Sequence, residues 1–222
     1  MSDLRRTITW LILVLVGVVG LAGALLGVSQ APSALSIAVA NTKAASSYTQ
    51  VVTEKTPQGD QTDYLVWQAP DRLGGYIQSG NRRTYVYVLP APSGSVEYQS
   101  ITVPVATATR HLVFYRQASQ SAALLDPAHN YLQYASRAKH PTTSGSTYFF
   151  TLTQTTASGT ETGHFAYTVA HTDSGQYISQ FGLAVQGASV HMVISAVGSS
   201  PLVQLPAGAR VVATPTTPSG GG

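Results

Sequence analysis

The chain has no cysteine, few charges and no nucleotide-binding or metalloprotease motif, and each absence closes a class of function. Without Cys among 222 residues it can form no disulfide, thiol nucleophile, thiolate zinc site or Cys-linked lipid anchor. Charged residues make up 9%, against roughly 25% in ordinary soluble proteins, so Ser, Thr, Gln and Gly supply most polar positions. Twelve basic and nine acidic residues leave a net charge of +3, too small and too scattered for a nucleic-acid binder. The sequence holds six His, but none stands three or four residues from another, and HExxH, GxSxG and GxxxxGK[ST] are all missing. His171, Asp173 and Ser174 fall in one turn, where alternating directions scatter side chains, and read as turn formers. A carboxylate pair for glycoside hydrolysis could arise only by folding, from acids spread thinly along the chain. These absences predict no cofactor, no metal and no enzyme.

What is present begins with an address. Ile8 to Val28 is an uncharged apolar run, long enough at 1.5 Å per residue to cross a hydrocarbon core of about 30 Å. Arg5 and Arg6 precede it and no charge follows until Lys43, which puts residues 1–7 in the cytoplasm and the chain after the run outside. A cleaved secretory signal is the alternative, but its apolar stretch is normally only about 7–15 residues. Either way the bulk of the chain is expected to be extracytoplasmic, with a retained anchor making it a single-pass plasma-membrane protein. Gly23 and Gly27 form a GxxxG pair that would let two such helices approach as a homodimer.

Residues 29–208 read as one domain. Ser33 caps a helix of about three turns carrying Leu35, Ala38, Val39 and Thr42 at helical spacing. From Tyr48 the period becomes two. Tyr48–Lys55 and Thr62–Gln68 flank Pro57-Gln58-Gly59-Asp60, Gly75–Ser79 and Arg83–Leu89 flank Gly80-Asn81-Arg82, and Val96–Thr102 follows. Five successive strands imply an antiparallel sheet. Between Val103 and Gly145 the pattern breaks: Asp126-Pro127 starts a helix that Pro141 stops, and Leu112–Gln117 fits helix or strand equally. Ser146–Gln154, Gly163–Ala170, Gly175–Val185 and Ser189–Val197 complete about nine strands. Residues 209–222, ending in TPTTPSGGG, are expected to form a disordered tail.

The order of helix, antiparallel run, helical interruption and second antiparallel run resembles the LolA/LppX-like lipoprotein-carrier superfamily over about residues 34–207. Lys43-Ala-Ala-Ser-Ser-Tyr48 is similar to that family's exit from helix to first strand. Tyr64-Leu-Val-Trp-Gln-Ala-Pro-Asp-Arg72 is similar to its strand ending in Pro-x-Arg, and Gly80-Asn-Arg-Arg-Thr-Tyr-Val-Tyr87 to its turn and aromatic strand. Gly145-Ser-Thr-Tyr-Phe-Phe150, Gly175-Gln-Tyr-Ile178 and Val203-Gln-Leu-Pro206 resemble its later strands. The resemblance implies an α+β fold, a curved antiparallel sheet forming a half-open barrel covered by helices, here preceded by one transmembrane helix. It also implies an acyl chain received on the concave face. The chain departs from relatives anchored through Cys, so a tethered receiver, presenter or sensor fits better than a shuttle.

On that reading the partners are a lipid or acylated protein and the membrane, with no nucleic acid. Trp67, Tyr76, Tyr85, Tyr87 and Phe149 are candidates to line the lipid cavity, because flat rings offer apolar area with a polar edge. Arg110, Arg116, Arg137 and Lys139, set against Asp126 alone, are candidates for a basic lid that meets anionic head groups. The competing function is a protein-binding envelope or stress-sensor domain with no lipid cargo.

Overall fold

The computed structural model describes residues 33–107, 109, 112–119, 121–156 and 159–213. The apolar run 8–28 with Gly23 and Gly27, Arg110, and residues 214–222 lie outside the described residues. Among the described residues no helix is long and apolar enough to cross a membrane.

Helix α1 (Ala34–Ala44) begins where the Ser33 hydroxyl accepts from the Ser36 amide. It is followed by β1 (Ser47–Thr56), β2 (Gly59–Gln68), β3 (Arg72–Ser79), β4 (Arg82–Ala91), β5 (Gly94–Ser100), β6 (Val103–Pro104) and β7 (Val113–Ser119). The interruption holds α2 (Ala122–Leu125), α3 (Pro127–Leu132) and a 3-10 turn, Gln133–Arg137. Then come β8 (Thr142–Ser144), β9 (Thr147–Thr156), β10 (Gly159–Thr172), β11 (Gly175–Val185), β12 (Ala188–Ser195) and β13 (Arg210–Ala213).

Among the described residues thirteen strands form one sheet ordered β13-β7-β5-β4-β3-β2-β1-β12-β11-β10-β9-β8, with β6 beside β4. The path leaves β13 and β8 as its two ends, so the sheet is curved but not a closed cylinder. Pairing is antiparallel throughout except between β13 and β7. The hairpin at Gly80, with φ of 54°, sits where a side chain would be strained.

Alternation sorts side chains onto two faces. Tyr48 lies opposite Trp67, Trp67 opposite Leu73 and Leu73 opposite Val88, all on the face that the helices cover. That helix face also carries Phe165, Tyr167, Phe181, Met192 and Ile194. Tyr64, Tyr76 and Tyr85 lie opposite one another on the outer face. There Tyr85, Val103, Leu112 and Phe114 make a second, smaller core, joined by Tyr98 and Leu205. Helix α1 is fastened to the helix face by burial of Leu35 and Ala38 and by Thr42, whose hydroxyl accepts from the Ile178 amide at 2.9 Å.

Three sequence expectations change. Leu112–Gln117 resolves as strand β7, because β5 and β13 both need it as a partner. The tail expected from 209 is ordered through Ala213, where parallel pairing to β7 satisfies its backbone. The helix that begins at Asp126 tightens into a 3-10 turn after Leu132, well before Pro141. Strands β6, β7, β8 and β13 are additions to the expected nine.

Candidate functional site

The site is the middle of the helix face together with residues 121–140, which lie across it as a lid. Two short helices and a 3-10 turn build the lid, and polar groups at fixed points hold it down. Asp71, just before β3, accepts from the Ser121 hydroxyl at 3.0 Å and the Ala122 amide at 2.5 Å, pinning the start of α2. It also accepts from the Ser95 hydroxyl.

Asp126 makes the central fastening. It is fully buried at the start of α3, where its carboxylate caps the helix by accepting from the Ala128 amide at 3.2 Å. The Tyr48 hydroxyl donates to its Oδ2 and the Gln50 side-chain amide to its Oδ1. Gln50 closes the ring by accepting from the Ala128 amide at 3.0 Å. His129 Nδ1 lies 2.5 Å from Asp126 Oδ2 and 3.0 Å from the Tyr48 hydroxyl. Burial, then the neighbouring Asp126 charge, pushes the Tyr48 hydroxyl far above its ordinary range, so it stays a donor at any physiological pH.

One turn on, Tyr131 makes the third fastening. Its hydroxyl donates to Glu54 Oε1 at 3.1 Å, and its carbonyl accepts from the Tyr167 hydroxyl at 2.7 Å. Its ring stacks on Phe181 at 4.8 Å, and Phe181 meets Tyr167 edge-on at 5.0 Å. Glu54 on β1 and Asp63 on β2 share this face. Burial pushes the Glu54 carboxyl up, opposed by the bond from Tyr131. Burial, then the Glu54 charge, pushes Asp63 up to about 7, opposed by the Gln61 amide that donates to it at 3.0 Å. Desolvation dominates both, because few polar partners replace water under the lid.

This face is packed. Tyr48, Val52, Tyr167, Ile178, Phe181 and Met192 show no exposure, and Leu132 and Tyr134 of the lid fill the space above them. The hollow that a half-open barrel implied is occupied by the protein's own side chains. Two recesses lie elsewhere. One of about 320 Å³ sits beside the end of α1, between Asn41, Ser46 and Tyr177. The other, about 210 Å³, runs along the outer face between Tyr64, Tyr76 and Tyr87 and residues 201–204.

The aromatic candidates are therefore divided. Trp67 alone is on the helix face, 3% exposed, with its ring 4.8 Å from His129. Tyr76, Tyr85 and Tyr87 are on the outer face, where Tyr76 stacks on Tyr64 at 5.5 Å and the Arg83 guanidinium lies over it at 3.7 Å. Phe149 is also on the outer face, exposed, on β9. Burial pushes the Tyr87 hydroxyl up as well. The basic candidates are divided too. Arg137, 5.8 Å above the Tyr134 ring, and Lys139 sit exposed at the far end of the lid. Arg116 is on β7 opposite Tyr98, a different region. Sequence reasoning missed Tyr48, Gln50, Glu54, Asp63 and Tyr131. For Tyr48, Gln50 and Glu54 the one signal was polar residues set among apolar ones in Tyr48–Lys55, and their lid partners lie 76 to 81 positions away, as with Gln50 and Asp126 or Tyr48 and His129, while nothing local marked Asp63 or Tyr131.

No family model matches the sequence, and no curated protein matches it. Among solved structures, LprF from Mycobacterium bovis superposes with a TM-score of 0.51 and 13% identity, over 81% of this chain and all of that one. The lipoprotein LppX of Mycobacterium tuberculosis gives 0.34 and 11% over 79% of this chain and all of its own. A DUF1329 family protein from Desulfovibrio piger gives 0.34 and 7% over 77% of this chain and 93% of its own. At these scores only the LprF likeness carries weight, and what it carries is architecture. The chain shares with LprF a curved, mostly antiparallel sheet covered on one face by helices.

Proposed function

We propose that this domain binds the acyl chain of a lipid or of an acylated protein on its helix face, beneath residues 121–140. The observation that carries the reading is the contrast between floor and lid. The floor is a broad sheet of aromatic and aliphatic side chains, Phe150, Phe165, Tyr167, Phe181, Met192 and Ile194. The lid is two short helices and a 3-10 turn fastened at three polar points. Short helices have little intrinsic stability, so the lid depends on those fastenings and on Tyr131, Leu132 and Tyr134. An acyl chain can replace these three side chains on the floor. Each methylene that leaves water contributes about 0.8 kcal/mol, which offsets opening the lid.

The structure is then the closed, self-filled state, and binding begins with the lid moving off. The fold shared with LprF and the resemblance to lipoprotein carriers support this reading. In it, Asp126 and His129 fasten the lid and perform no catalysis, and the anchor 8–28 keeps the domain tethered on the outer side of the plasma membrane as a receiver, presenter or sensor. In this reading Arg137 and Lys139, exposed at the lid's end, meet an anionic head group.

A second reading has one observation in its favour. A packed helix face and exposed apolar side chains elsewhere, Phe149, Val193 and Val211, suit a domain that contacts another protein and carries no lipid. Native mass spectrometry of the full chain, released from membranes in mild detergent, separates the two. Co-purifying lipid and a melting temperature raised by added diacyl lipid are expected. Absence of both would leave the protein-binding reading in place.

A further inference from the structure

Trp67 has an unfilled requirement. It is 97% buried, yet the indole Nε1 has no hydrogen-bond acceptor among the described residues. Indole is a donor only, and a buried donor without an acceptor is uncommon enough to need a reason. The acceptors beside it are already engaged. Asp126 takes donors from Tyr48, Gln50 and Ala128, and Gln50 Oε1 takes the Ala128 amide a second time.

Position adds a second constraint. Trp67 is the penultimate residue of β2, at the rim of the helix face, before the exposed Ala69-Pro70. His129 lies over it, ring to ring at 4.8 Å and tilted 59°, with a fifth of its side chain in solvent. The donor is thus one side chain from water, while Leu65, next on the same face, leads inward.

We propose that the Trp67 indole N–H receives the carbonyl of a neutral, ester- or amide-linked acyl chain at this rim, a polar subsite that rests on the acyl-binding reading above. The hydrocarbon tail then runs inward over Leu65 and Ile194, and His129 closes behind the carbonyl. Charge selects the neutral group. Asp126 is bonded to Tyr48 and His129, the two rings that flank Trp67, so a free carboxylate would enter against like charge. An alkane would leave the N–H unpaired.

The test uses the full chain carrying Trp10→Phe, which leaves Trp67 as the sole indole of the two in the sequence. Methyl laurate, laurate and dodecane are titrated by Trp67 emission and by melting temperature. Methyl laurate is expected to bind about ten-fold more tightly than the other two and to shift the emission to the red. Trp67→Phe should reduce its affinity to that for dodecane. Because Phe also shrinks the ring, β-(3-benzothienyl)alanine at position 67 serves as the second variant: it keeps the shape, removes the N–H and should erase the same preference. An ester preference that survives both variants, or laurate binding best, overturns the subsite while acyl binding stands. An isostere that lowers the ligand-free melting temperature but not ester affinity also overturns it, since the N–H would then bond within the protein, to the His129 ring. If none of the three probes binds, the acyl reading falls and the subsite with it.

Discussion

The two faces of the sheet are covered in opposite ways. On the helix face a lid rests on aromatic rings and is held by side-chain carboxylates, Asp71, the fully buried Asp126 and the half-buried Glu54, with Asp63 buried on the same face. On the outer face an extended segment lies over tyrosines and is held through its backbone, with Arg72 donating to the Val203 carbonyl at 3.1 Å and the Val203 amide donating to Gln68 at 3.3 Å. Backbone fastening to neutral or permanently charged groups does not change with pH. The helix face carries Glu54 and Asp63, whose carboxyls burial pushes up, and that makes the lid the part of this molecule that pH can loosen.

That contrast can be broken from the core outward. Phe181→Ala removes the ring that stacks on Tyr131 and meets Tyr167, at a site with no exposure. A loss of about 3–5 kcal/mol is expected in urea unfolding, far above that of an outer-face truncation such as Tyr64→Ala. A loss below 1 kcal/mol would mean that the lid does not rest on this floor.

The pH dependence sharpens the comparison. Asp63 is held up to about 7, against an ordinary 3.8, so the folded, closed state favours its protonated form. Its contribution is complete below about pH 4 and is lost as pH rises through 7, a change on the order of a few kcal/mol. Glu54, also held up, acts in the same direction. Hydrogen exchange at 127–137 should therefore quicken between pH 5 and 8 more than exchange in β4, and Asp63→Asn should flatten the difference. Equal responses in both regions would contradict the account.

Asp126→Ala leaves the Tyr48 hydroxyl, the Gln50 amide and the Ala128 amide short of an acceptor and uncaps α3. About 2 kcal/mol of stability should be lost, with limited proteolysis cutting first within 121–140. The smallest effect tests the other face. A Cβ at Gly74 would lie 2.6 Å from the Tyr87 ring and 2.8 Å from Val203. Gly74→Ala should thus cost about 1 kcal/mol and loosen residues 201–204 while leaving lid protection unchanged.

The helices and strands were largely legible. Ser33 before an apolar helical period, Asp126-Pro127, and the glycine turns between alternating stretches each act locally, through dihedrals and caps that three or four residues decide. The site was not. Tyr76, Tyr85, Tyr87 and Trp67 look alike in sequence, and only the pairing register sends the first three outward and the fourth inward, because one residue's slip moves a side chain to the opposite face. Basic residues grouped by sequence proximity separated once Arg116 entered β7 and Arg137 the end of the lid.

What the sequence determined alone was the alternation, the turns and the absence of Cys or any metal or nucleotide motif, all properties of short stretches of chain. What only the tertiary structure decided was that Tyr48, Gln50, Asp126 and His129 meet, that Glu54 and Asp63 share a dry face, and that the expected hollow is filled. Those facts depend on which distant segments exclude water from one another, and burial is a property of the assembled sheet and lid, not of any residue's neighbours in the chain.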